Sequence, residues 1–128
     1  MVTLDDVVAI ATQLPEVTEG TRHGNRMWFV GGKGFVWERP FSKADIKRFG
    51  TVTAPPGPIV AVLVDDLVEK EAVLAAHPGS IFTIPHFDGY PAVLIQLEVV
   101  TGNVLREVII DGWLAAAPQS LAVSFLER

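Results

Sequence analysis

The chain has no cysteine, which excludes disulfides, thiolate metal sites and cysteine nucleophiles. A cytoplasmic location is expected on that ground. No apolar run approaches the ~20 residues that a membrane helix needs. Met1 to Asp6 offers neither a basic n-region nor a small-residue cleavage site, so no signal peptide is expected. Repeats and low-complexity segments are absent. No nucleophile–base pair, metal-ligand set or cofactor loop is legible, so the expectation is a non-enzymatic protein with no metal and no cofactor. Gly31-Gly32-Lys33-Gly34 is not a phosphate-binding loop, because the Gly-Lys-Ser/Thr ending and its helix are missing.

Positive charge is also scarce. Ten Lys and Arg face fifteen Asp and Glu over 128 residues, for a net charge of −5. Seven of those ten bases fall in one short window: Arg22, Arg26, Lys33, Arg39, Lys43, Lys47 and Arg48. Only Glu38 and Asp45 oppose them there, leaving a balance of +5. The rest of the chain sets Lys70, Arg106 and Arg128 against thirteen acids, a balance of −10. Nucleic acid is the natural polyanionic partner of such a segment. A solvated face of the fold is the plainer alternative. Acids on a far face do not decide the matter. Screening acts over ~8 Å, while a chain of this size has a radius of gyration of ~14 Å.

With 49% hydrophobic and 20% charged residues, the chain reads as one domain over residues 1–128, long enough to bury a core. Thr3 to Leu14 is a helix with Asp5 and Asp6 in its first turn, closed by Pro15. Arg22 to Arg39 reads as a β-hairpin turning at Gly31–Gly34. On its first strand, Arg22, Gly24, Arg26, Trp28 and Val30 share one face, and His23, Asn25, Met27 and Phe29 the other. Ser42 to Phe49 is a short helix opened by a Ser42/Asp45 capping box, with Lys43 and Lys47 one turn apart. Ala54 to Pro58 is a loop. Ile59 to Val64 is a central strand, followed by a helix capped by Asp65 or Asp66 and running to about Ala76. Strands are expected at 81–84 and 92–99, a helix at 103–117, and a last helical turn or two after Pro118. That order predicts an α+β domain, an antiparallel sheet with helices on one side in two layers.

Three groups of residues together resemble a known family. Leu14-Pro15-Glu16 closes the first helix. Trp28-Phe29-Val30-Gly31-Gly32-Lys33-Gly34-Phe35 forms the hairpin. Ile84-Pro85-His86-Phe87-Asp88-Gly89-Tyr90-Pro91-Ala92-Val93-Leu94 is followed by Ile109-Ile110-Asp111-Gly112-Trp113 and Ala117-Pro118. In this order they resemble the MmcQ/YjbR-like family of small bacterial proteins over essentially the whole chain. The resemblance implies a frataxin-like antiparallel sheet backed by helices. It also implies DNA binding, a label attached to members for a double-wing arrangement of hairpins. The His86 to Tyr90 segment departs from the common pattern, which points to a sub-branch.

Two functions follow as expectations. In the first, the seven bases of residues 22–48 contact DNA, with Lys33 at a hairpin tip and Lys43, Lys47 and Arg48 on the short helix. Trp28, Phe29, Phe35 and Trp37 could stack on bases or fill the core, and Trp28 is singled out because it shares a face with Arg22 and Arg26. In the second, His86, Asp88 and Tyr90 between two prolines line a pocket for a small molecule or a protein. His77 reads as a helix-end residue, His23 as an addition to the basic face, and Trp113 as packing. Neither function involves a membrane, and a monomer is the favoured state.

Overall fold

Thr3 opens α1 (Leu4–Gln13) with a capping box: the Asp6 carboxylate accepts from the Thr3 backbone N–H at 2.8 Å. The computed structural model describes residues 1–127, and Arg128, counted above among the bases, lies outside them. After Pro15 the chain enters β1 (Thr18–Arg22), β2 (Asn25–Val30) and β3 (Lys33–Glu38), an antiparallel meander. The expected hairpin is therefore the second of two. The first turns at His23 and Gly24, both at positive φ (55° and 79°), as the tight two-residue hairpin turns require. Arg22 lies on β1, opposite Asn25, so it does not share a strand face with Arg26.

The Ser42/Asp45 capping box is present and starts α2 (Lys43–Phe49). β4 (Ile59–Leu63) is buried throughout. Asp66 caps α3 (Leu67–Ala76), accepting from the Glu69 N–H at 2.8 Å. β5 is only Ile81–Phe82, because Pro85 forces the chain into a 3-10 turn over Pro85–Phe87. β6 (Ala92–Gln96) also ends early, where Val99 and Val100 donate back to the Gln96 carbonyl. α4 (Gly102–Ala116) and α5 (Gln119–Leu126) complete the chain, parted by Pro118.

The six strands form one sheet in the order β1-β2-β3-β4-β6-β5, antiparallel at every pairing. The fold is α+β. The main core lies under the helices and holds Trp28, Phe35, Val62, Ile95, Leu105 and Trp113, each fully buried. Burial of this kind stabilises by roughly 1.5–3 kcal/mol per large apolar side chain. The two tryptophans still satisfy their N–H groups: Trp28 donates to Glu19 and Trp113 to the Pro15 carbonyl, both at 3.1 Å.

The helices are not all on one side. A smaller cluster on the opposite face joins Ile59, Ala61, Ile84, Phe87 and Leu94 to Phe41 and Phe49, and so seats α2 and the 85–87 turn there. A register shift between Trp28 and Phe29 leaves Phe35 without a strand partner. Phe35 and Val36 consequently both join the main core, and Trp37 turns to the second face. Among the described residues no helix is long and apolar enough to cross a membrane.

Candidate functional site

The second face carries a groove of about 590 Å³ where β1, β2 and β3 end beside the start of α2 and the 85–91 loop. Its apolar lining is Met27, Trp37, Phe41 and Phe87, of which Met27 and Phe87 are buried and Trp37 and Phe41 half-buried. Its polar rim includes Arg22, His23, Asn25, Arg39, His86 and Tyr90. The basic window and the 85–91 loop, distant in sequence, thus meet in one concavity. A volume of this size suits a small ligand.

Phe87 is the hub of the wall. It is buried, and four neighbours pack on it. Trp37 lies near-parallel at 6.4 Å, Tyr90 edge-on at 5.9 Å and His86 tilted at 5.9 Å, with the Arg39 guanidinium over the ring at 5.5 Å. The loop is held from behind by Lys70 of α3. Its Nζ donates to the Phe87 carbonyl at 2.7 Å and to the Tyr90 carbonyl at 2.8 Å. Lys70 is only 5% exposed. Burial holds its ammonium below the usual lysine value, against the opposing pull of Asp88 and Glu71.

Arg39 is fixed just as firmly. It donates to the Pro40 carbonyl at 2.6 Å and to Asp45 at 2.9 Å. Asp45 is buried. That burial alone would raise its carboxyl. The hydrogen bonds from Ser42 and Arg39 outweigh it and hold Asp45 below the usual value.

The seven bases of the window do not converge. Arg22 and Arg39 reach the groove. Arg22 lies over the Phe29 ring at 5.7 Å. Arg26 projects from the helix-side face, where it pairs with Glu19 at 3.1 Å and covers Trp28 at 5.2 Å. Its hydrogen bond holds the Glu19 carboxyl low and is matched by a raised Arg26. Arg48 stands 3.9 Å from Asp45. Lys43 and Lys47 are exposed on α2, directly after the groove residue Ser42. Lys33 opens β3. It stands roughly 20 Å from Arg39 along an extended strand.

His86 and Tyr90 line the groove, whereas Asp88 is not part of its lining and acts on Lys70 instead. Trp28 is fully buried and unavailable for stacking; Trp37 is the tryptophan in the groove. Met27, Phe41 and Lys70 were not legible as site residues. Trp37 is among the four aromatics expected to stack or to fill the core, but Trp28 is the one singled out. Among the described residues no group of three or more His, Cys, Asp or Glu could hold a metal ion.

A family model, YjbR, matches residues 12–115. The chain is 44% identical over 129 residues to uncharacterised proteins of Mycobacterium tuberculosis and Mycobacterium bovis, covering 98% of this chain and 97% of each relative. A crystal structure of a Deinococcus radiodurans protein with a DUF419 domain superposes with a TM-score of 0.63 at 20% identity, over 94% of this chain and 82% of that one. That likeness concerns the fold.

Proposed function

The chain belongs to the YjbR family, and from that premise we propose that it is a cytoplasmic, single-domain, non-enzymatic module that binds nucleic acid. The contact surface is the groove together with the adjoining α2. One observation carries this: Arg22, Arg39 and Trp37 line a single concavity, with Arg39 held over the buried Phe87. Cations neutralise phosphates while aromatic faces accept bases. Lys43 and Lys47, exposed and without an ion pair among the described residues, extend the positive surface along α2.

The test is fluorescence anisotropy of a labelled random strand and its duplex across a salt series. If Arg22, Lys43 and Lys47 each neutralise one phosphate, log K falls against log salt with a slope of about −2 on the single strand and about −3 on the duplex. Lys43→Glu with Lys47→Glu abolishes most of that dependence. Absence of binding at low salt to either form defeats the proposal. A second reading has support in the groove's dimensions and in His86 and Tyr90 at its rim: a free anionic, aromatic small molecule occupies the same place.

A further inference from the structure

We infer that the groove takes one unstacked nucleobase of a single strand, laid against Trp37, with its phosphate at Arg22. This rests on the nucleic-acid reading above and narrows it to a substrate class. The chain's other two tryptophans, Trp28 and Trp113, are fully buried in the main core, as is Phe35. Trp37 is turned the other way by the register shift in β2 and β3 and, half-buried, lines an open groove. Bases inside a duplex present only their edges, because their faces are stacked on one another. A side chain at the bottom of a concavity therefore meets a base face only when the base is unpaired.

The charges are arranged for the same ligand. Arg22 sits at the rim, exposed, and among the described residues has no ion pair, only a ring contact to Phe29, so its guanidinium is available to a phosphate. Arg39 is committed to Asp45 and Pro40 and contributes a fixed positive wall instead. Glu38 is the one carboxylate in the lining among the described residues, and its Oε1 accepts from the Arg26 backbone N–H at 2.8 Å. Asn25, Ser42 and Tyr90 place donors and acceptors around the rim, within reach of a base edge.

Four probes of equal label test this: a mixed 12-nucleotide strand, its duplex, an abasic strand with the same phosphates, and a mixture of free mononucleotides. The full chain and its Trp37→Leu and Arg22→Gln variants are titrated with each. The intact strand binds at least tenfold tighter than the duplex and the abasic strand, the scale of one base–aromatic stack. Trp37→Leu removes that preference and leaves abasic-strand affinity unchanged. Arg22→Gln weakens intact and abasic strands alike and makes the salt slope shallower by ~1. Equal affinity for intact strand, abasic strand and duplex overturns the inference while sparing the nucleic-acid reading. No binding to any strand overturns both. Mononucleotides that compete at the strand's own affinity overturn the assignment to a strand. If Trp37→Leu fails to fold, the intact-against-abasic comparison on the unaltered chain still decides.

Discussion

Lys70 on α3 donates from Nζ to the backbone carbonyl of Phe87 at 2.7 Å, seventeen residues away. A second bond to the Tyr90 carbonyl, at 2.8 Å, makes the lysine a clamp across the turn that walls the groove. A buried ammonium is costly unless its protons are accepted. Here two carbonyls accept them, each of which also takes one main-chain N–H, from Tyr90 and from Ala92. The main-chain turn and the lysine thus hold each other.

Lys70→Met keeps the apolar stem and deletes both bonds. The expected loss is about 1–3 kcal/mol, because two charge-assisted hydrogen bonds go, while each carbonyl keeps a main-chain donor, the Tyr90 N–H on the Phe87 oxygen and the Ala92 N–H on the Tyr90 oxygen. Amide exchange accelerates at Phe87, Asp88 and Tyr90, whose N–H bonds close the turn, and stays unchanged in α4. The pH dependence has a definite sign. Lys70 titrates below its ordinary 10.5 when folded, so between the two values the unfolded chain binds more protons. The stability of the unaltered chain relative to Lys70→Met therefore rises with pH across that window. Parallel urea unfolding of both proteins checks it, and a difference that falls with pH refutes the burial argument.

Asp45 serves two masters: it closes the α2 capping box and holds Arg39 beside Phe87. Asp45→Ala is expected to cost roughly 2–3 kcal/mol, a lost cap plus a stranded partner charge. Because the folded carboxyl lies below its ordinary 3.8, this stabilisation is complete above that value and is lost as pH falls through the lowered one. Urea midpoints for Asp45→Asn and the unaltered chain converge in acid. Midpoints separated equally at neutral and acid pH would show that the charge is irrelevant.

Much of this architecture was readable in the residues. The Ser42/Asp45 box, a helix cap at Asp65 or Asp66 that falls on Asp66, the buried run of β4 and the break at Pro118 each follow from local chemistry that the fold preserves. β1 was not readable, because Thr18-Glu19-Gly20-Thr21-Arg22 has no apolar residue to alternate and lies at the sheet edge. The side on which Trp37 falls depends on a one-residue register shift, and alternation alone cannot place it. Lys70 reads as an ordinary solvated helix lysine, since its partners are main-chain carbonyls of a distant loop. Half the candidate site was therefore visible as charge and loop chemistry. The other half arises only when the sheet brings residues 22–42 against 86–90.

Asp111 makes the opposite electrostatic case. Burial raises its carboxyl above the usual value, and Glu107 one turn before it on α4 and Glu69 of α3 push the same way. Its ionisation is thus disfavoured in the fold. Stability from this group is present below the ordinary 3.8 and declines as pH rises through the elevated folded value. Asp111→Asn is expected to stabilise at neutral pH by about 0.2–0.5 kcal/mol, the size of a relieved like-charge pair on a helix. Thermal midpoints at pH 7 measure it, and the gain disappears in acid. A loss at pH 7 would mean that the carboxylate has a favourable partner.

Two glycines of α4 separate packing from propensity. At Gly112 a methyl group would meet Val62 Cγ1 at 2.7 Å and the Leu63 carbonyl oxygen at 2.9 Å, with the Phe35 carbonyl oxygen at 3.4 Å. Two of those neighbours are sheet backbone, which cannot step aside, so the helix itself must lift from β3 and β4. Over-packing of this kind costs typically 1–3 kcal/mol, while alanine returns ~1 kcal/mol of helix propensity. The net for Gly112→Ala is a loss of up to about 2 kcal/mol. At Gly102, the first residue of the same helix, a methyl group meets nothing within 4 Å. Gly102→Ala should therefore stabilise, by up to ~1 kcal/mol, through the unfolded chain's lost freedom. The same substitution in one helix gives opposite signs in urea unfolding at pH 7. If both stabilise, α4 does not bear on the sheet at Gly112 as closely as the structure places it.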